Sequence, residues 1–189
     1  MYRYLSLDIG CNDQESSIHP TVERCLESFF EPEDREIKCE KCEDGVEATQ
    51  TLRVLSRPRV LLLHLKRFTM VEKRTASADE MEVSFQKNKT PVELNNELSL
   101  DAFLSDKATS SVLSSNYSLR SIVHHIGMTA NSGHYTADAL REKRENGGET
   151  VKQWISYDDS TTTEKTLDEI RTRVSNKKTA YMLLYSTDT

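Results

Sequence analysis

The longest unbroken aliphatic run in this chain is Val60-Leu61-Leu62-Leu63, and His64 closes it. A bilayer-spanning helix needs about 20 apolar residues, so no such span can be built here. A short run with Pro58 before it and charge after Phe68 suits a strand covered on both faces. The rest of the sequence is cut on the same scale. Glu47 to Val54 alternates loosely, and Tyr117 to Ile126 alternates in part, with Tyr117, Leu119, Ser121 and Val123 against Ser118, Arg120 and Ile122. His134 to Leu140, Lys152 to Asp158 and Ala180 to Tyr185 read as further strands, and weak strand or turn signals fall at 83–85 and 92–94. Helical spacing is rare. Val22, Cys25, Leu26, Phe29 and Phe30 share one helical face behind Pro20-Thr21, and Glu31-Pro32 stops the helix. Leu98 to Leu104 suggests a brief helical turn, and Leu167, Ile170 and Val174 fit one short helix over 166–174. Residues 69–82 read as an exposed loop, and the Ser-rich stretch 105–116 as a flexible insertion. Short strands with few helices predict an α+β chain, built mainly on an antiparallel sheet.

A length of 189 residues suits one domain or a piece of a larger one. No repeat and no Pro- or Gly-rich linker divides it. Lys and Arg number 25 against 31 Asp and Glu, so 25 − 31 = −6 at pH 7. That balance argues against nucleic acid as a partner, because phosphate binding needs clustered cations. The opening residues Met1 to Asp8 lack the apolar core of a signal peptide.

One constellation carries acid–base chemistry. Asn146-Gly147 lies between two strand candidates. A hairpin centred on residue 146 pairs residues whose numbers sum to 292, which places His134 opposite Asp158. Facing side chains in an antiparallel pair have Cβ atoms roughly 5 Å apart. A carboxylate on one ring nitrogen fixes the imidazole and leaves the other nitrogen to take a proton from a nucleophile. Gly133, just before the histidine, allows a close backbone approach. The bland alternative is a surface His–Asp pair at a strand end.

A second constellation is half of a metal site. The four cysteines are Cys11, Cys25, Cys39 and Cys42, and only Cys39-Glu40-Lys41-Cys42 has a ligand spacing. Two thiolates at that spacing can hold one side of a tetrahedral Zn²⁺, but structural zinc takes four ligands and no second such pair is present. Cys25 falls inside the apolar helix face and reads as a small buried hydrophobe.

Together these segments resemble the ubiquitin-specific proteases, papain-like cysteine deubiquitinases. Leu61 through Leu65-Lys66-Arg67-Phe68 resembles their leucine–lysine–arginine–phenylalanine strand. Tyr117 to Gly127 followed by Asn131 to Ala137 resembles their histidine box. Trp154 to Asp159 resembles the segment of the third triad member, Tyr181 to Tyr185 the closing strand, and Ile37 to Cys42 the second half of their zinc ribbon. The resemblance implies that His134 is the general base, that Asp158 orients it and that Asp159 assists. It implies that Gly133 and Tyr135 line the channel for the glycine-rich tail of ubiquitin. It also implies that Cys39 and Cys42 ligate structural zinc, with no catalytic cofactor, and that Lys66-Arg67 is structural. For His124 and His125, packing near the site is the expected role. Ubiquitin and ubiquitinated proteins are the implied partners, without nucleic acid or membrane, in an intracellular setting of cytoplasm or nucleus.

The departure from the pattern is equally specific. The family's N-terminal cysteine box and first zinc pair have no counterpart, and neither Cys11 nor Cys25 has the expected surroundings. Residues 1–189 therefore resemble the C-terminal part of the catalytic domain: most of the palm, part of the fingers and half of the zinc ribbon. The activity implied is thiol-dependent hydrolysis after the C-terminal glycine of ubiquitin, with this chain supplying base and orienter but no nucleophile. The alternative is a non-catalytic ubiquitin-binding or interaction module.

Overall fold

The computed structural model describes residues 4–10, 19–38, 45–74, 81–108, 116–144 and 150–187. The chain opens with β1 (Leu5–Leu7), α1 (Val22–Phe30) and the strands β2 (Glu33–Lys38) and β3 (Gly45–Gln50). β4 (Val60–Leu65), β5 (Phe68–Arg74), β6 (Met81–Lys87) and β7 (Glu97–Ser99) follow. The last third holds β8 (Asn116–Thr129), β9 (Ser132–Arg144), β10 (Thr150–Asp158) and β11 (Thr161–Lys165). Two six-residue helices, α2 (Leu167–Thr172) and α3 (Val174–Thr179), lead into β12 (Ala180–Thr187).

One sheet dominates, with strand order β1-β4-β12-β8-β9-β10-β11 and β7 on β8. Every pairing in it is antiparallel except β1 with β4. β4 buries Leu61, Leu63 and Leu65, and Leu183 and Tyr185 of β12 lie beside them in the core. Each such side chain contributes roughly 1.5–3 kcal/mol on burial. α1 lays Val22, Cys25, Leu26 and Phe30 on this core. Its Thr21 hydroxyl accepts from Arg24 N–H at 3.0 Å, so the helix begins where the capping residue stands.

β8 carries an irregularity that decides what the site faces. Leu119 pairs with Tyr185 and Ser121 with Leu184, leaving Arg120 as an extra residue. A bulge reverses the alternation beyond it. Tyr117 and Leu119 point to the core before the bulge, and Ile122 and His124 do so after it. This explains why the segment alternates only in part.

Two expectations need correction, and one strand lies where the sequence offered no reading. Residues 69–74 and 81–82, expected in an exposed loop, are strand: β5 and β6 pair from Phe68↔Lys87 to Arg74↔Met81. β2 was not anticipated, and it pairs with β3 from Glu33↔Gln50 to Lys38↔Gly45. β2 is solvent-exposed along its whole length, so no apolar alternation marks it. The hairpin register also differs, as described below. The Ser-rich stretch falls largely outside the described residues, as do Cys11, Cys39 and Cys42.

Arg67 ties the layers together. It is fully buried. Its Nε donates to Ala180 O at 2.5 Å, Nη1 to Thr90 O at 3.0 Å and Nη2 to Lys177 O at 2.6 Å. The structural reading of Lys66-Arg67 thus has a definite form: a guanidinium fork satisfying carbonyls from three segments. Burial lowers its pKa to about 10.

Candidate active site

The register of β9 and β10 runs through Asp138↔Ser156 and Tyr157↔Ala137. Those pairs sum to 294, not 292, so the hairpin centre moves from residue 146 to 147 and the register shifts by two residues. Continued by one step, Asp158 lies opposite Thr136, and His134 stands diagonal to it. A shift of two keeps every side chain on its face. Diagonal neighbours remain within reach of long side chains. The two groups do meet: His134 Nε2 lies 2.5 Å from Asp158 Oδ1.

The pair sits at the rim of the sheet. The side chains of His134 and Asp158 are 43% and 63% exposed. Hydrogen bonding to Asp158 raises the pKa of His134, and the nearby charge of Asp159 adds to this. Asp159 opens the two-residue turn into β11 with φ of 50°, in the left-handed region that aspartate tolerates. Ligand atoms of His134, Asp158 and Asp159 lie within 4.8 Å of one another. Among the described residues they are the group of His, Cys, Asp and Glu side chains dense enough to hold a cation.

On the same face, four residues along β9 from His134, lies a second pair that the sequence did not point to. His124 Nε2 lies 2.9 Å from Asp138 Oδ2, and both side chains are buried. Ser156 Oγ donates to the other oxygen of Asp138, and Thr179 of α3 meets His124 Nδ1 at 3.1 Å. Burial alone would raise the pKa of Asp138; the bonds from His124 and Ser156 outweigh it and hold the carboxyl below the usual range. A cavity of about 550 Å³ separates this face from α2 and α3, lined by His124, Asp138, Ser156, Asp158, Ile170 and Thr179 among others. The β8–β9 hairpin pairs His124 with Thr136 and so sets Asp138 diagonal to His124, which is the signal that would have found the pair.

The opposite face of the tip is aromatic. His125 packs against Tyr135 at 4.9 Å and Phe68 at 5.2 Å between ring centres. Tyr135 itself is 53% exposed. Gly133 is exposed on one side and pressed onto the His125 ring on the other.

Cys25 is no candidate for the sulfur nucleophile. It is buried in α1, and burial pushes its thiol up to about 11. A thiol needs the reverse shift to become reactive.

A mainly antiparallel sheet with few helices and a histidine–aspartate contact at its rim defines an α+β chain of the papain-like class. The chain belongs to the ubiquitin carboxyl-terminal hydrolase family, whose model matches residues 10–185. It is 31% identical over 195 residues to human ubiquitin carboxyl-terminal hydrolase 3, covering 96% of this chain and 32% of that protein. It is 30% identical over 166 residues to ubiquitin hydrolase B of Dictyostelium discoideum, covering 87% of this chain and 31% of that one. The chain thus spans about a third of the length of the curated relatives it matches. Among solved structures, it superposes on a chain of the SAGA Ubp8/Sgf11/Sus1/Sgf73 DUB module bound to ubiquitin aldehyde. The TM-score is 0.60 at 26% identity, over 98% of this chain and 36% of the other. Among the described residues, no helix is long and apolar enough to cross a membrane.

Proposed function

We propose that this chain supplies the acid–base half of a deubiquitinating site, acting on the (iso)peptide bond after the C-terminal glycine of ubiquitin. The observation that carries the reading is the 2.5 Å contact between His134 and Asp158 at an exposed rim, in a chain of this family. Asp158 accepts from Nε2–H, so Nδ1 keeps its lone pair. That nitrogen takes the proton of a cysteine thiol, and the thiolate attacks the carbonyl carbon. The C–N bond breaks, the imidazolium returns its proton to the leaving amine, and water hydrolyses the thioester. Asp159 adds negative charge beside the imidazolium. Exposed Tyr135 and Gly133 would line the path of the glycine-rich tail of ubiquitin.

The sulfur would come from polypeptide outside residues 1–189, with this segment acting as the C-terminal part of the catalytic domain. The burial of Cys25 and the one-third coverage of the relatives support that reading. Cys39 and Cys42 would give two thiolates to a structural zinc ion; both lie outside the described residues, between the paired ends of β2 and β3. Relatives solved with ubiquitin aldehyde or monoubiquitin support ubiquitin as the partner.

A ubiquitin probe with a C-terminal electrophile tests the division of labour. It should leave this chain unlabelled and label the full protein. In that protein His134→Ala should lower turnover roughly 10²–10⁴-fold, the usual contribution of a positioned acid–base group. Unchanged turnover would remove the catalytic role of His134, and labelling of this chain at Cys11 or Cys25 would remove the external nucleophile.

A further inference from the structure

Lys87 ends β6, on a hairpin that contributes nothing to the dyad directly, and yet it is buried. Its ammonium lies 3.1 Å from His125 Nδ1, 2.6 Å from His125 O and 3.0 Å from Gly127 O. An ammonium has three protons and no lone pair. Those three acceptors use all three protons, so His125 Nδ1 must accept. The ring is therefore neutral, and its one proton sits on Nε2.

That Nε2 has no hydrogen-bond partner among the described residues, and the residue is 1% exposed. It is aimed at Gly133. A Cβ built on Gly133 would stand 2.3 Å from His125 Nε2 and 2.8 Å from Cε1. The ring thus occupies the space that any other side chain at 133 would need. Gly127, across the same tip, is also confined, its Cβ position lying 2.8 Å from Ser132 O. A phenylalanine would fill this aromatic pocket without a buried ammonium and without an orphan N–H, each of which costs free energy. What the histidine adds is an orientation that only a donor such as Lys87 can set.

We propose that Lys87 and His125 are positioning residues for His134. Lys87 locks the His125 ring beneath Gly133, and the ring edge sets the strand height from which the next residue, His134, reaches Asp158. This rests on the reading of His134 as the general base. The requirement is tight, because a misplacement of about 1 Å in a reacting group can cost 10²-fold in rate.

Side-chain ¹⁵N–¹H correlation spectra of the protein test it. In the wild type His125 should show the neutral ring with its proton on Nε2 through about pH 5–8, where ordinary histidines titrate. A proton on Nδ1 there overturns the proposal, and this needs no variant. In Lys87→Met and in Gly133→Ala the titration midpoint of His134 should lose its upward displacement. Lys87→Arg, which keeps donors at the end of a long side chain, should recover part of it. An unchanged His134 midpoint in a folded Lys87→Met chain overturns the proposal; if that variant unfolds, the wild-type ring and Lys87→Arg decide. None of these signals requires ubiquitin or a nucleophile. Loss of the site reading, tested by turnover of His134→Ala, is therefore distinguishable from loss of the positioning role.

Discussion

At the residue scale, the dyad is defined by which nitrogen is taken. Asp158 engages Nε2, which leaves Nδ1 free of that contact, and the carboxylate favours the charged ring. His134 should therefore titrate above the ordinary histidine value near 6.5. Asp158→Asn should bring it back toward that value, and ¹H–¹⁵N titration of the His134 ring checks both. A midpoint unmoved by the substitution would mean that the contact does not hold in solution. Arg67 offers a structural counterpart. Arg67→Met would strand buried carbonyls of residues 90, 177 and 180, each costing about 1–3 kcal/mol unpaired. Denaturant unfolding should show a loss of roughly 3–5 kcal/mol, with Arg67→Lys losing less.

At the element scale, three strands and a helix meet in the buried pair of His124 and Asp138, with Ser156 and Thr179 at its ends. Breaking a buried pair leaves one group uncompensated and costs about 3–5 kcal/mol, whereas replacing both with apolar residues is milder. Asp138→Ala should show that loss by chemical denaturation, and His124→Leu combined with Asp138→Leu should fall short of the sum of the single changes. This scale also shows where the sequence speaks. α1 was legible residue for residue because its apolar stripe, Thr21 cap and Pro32 stop agree. β4 and β12 were legible from buried runs. Thr166 and Glu169 form a capping box that starts α2 inside the expected segment, while α3 has no side-chain cap and no buried residue to announce it. β2 was invisible because it is exposed throughout, and β8 was half legible because its bulge reverses the pattern. The contact was found despite a wrong register, since an error of two residues preserves the face and leaves the groups diagonal, whereas an odd error would have put them on opposite faces. Lys87 was not legible: what marks it is the hairpin that delivers it under a strand tip 38 residues onward.

At the scale of the whole molecule, the histidines pull stability in opposite directions with pH. Burial, reinforced by Lys66 for His64 and by Lys87 for His125, lowers both pKa values. The unfolded chain then binds protons that the folded chain refuses, so stability falls as pH drops below the ordinary value near 6.5. Each group contributes at most about 1.4 kcal/mol per pH unit in that window. His134 has the reverse sign. Its raised value gives stability that is complete below about pH 6.5 and fades as pH rises through the folded midpoint. It is exposed to solvent, so its share is screened and the buried rings dominate. Asp138, held below the usual carboxylate range, matters only at lower pH, under about 3.8. The expected profile of Tm is a decline on acidification between about pH 6.5 and 5, well above the range where carboxylates protonate. His64 is the ring to remove for the test, because its Nδ1 meets the Ser6 hydroxyl, at 3.0 Å, and its strand β4 lies three strands from β9. His64→Gln should flatten the decline without abolishing it, since His125 remains. A Tm that is level from pH 7 to 5 in the wild type would mean that both rings accept protons in the folded state, and that neither is as buried as it stands.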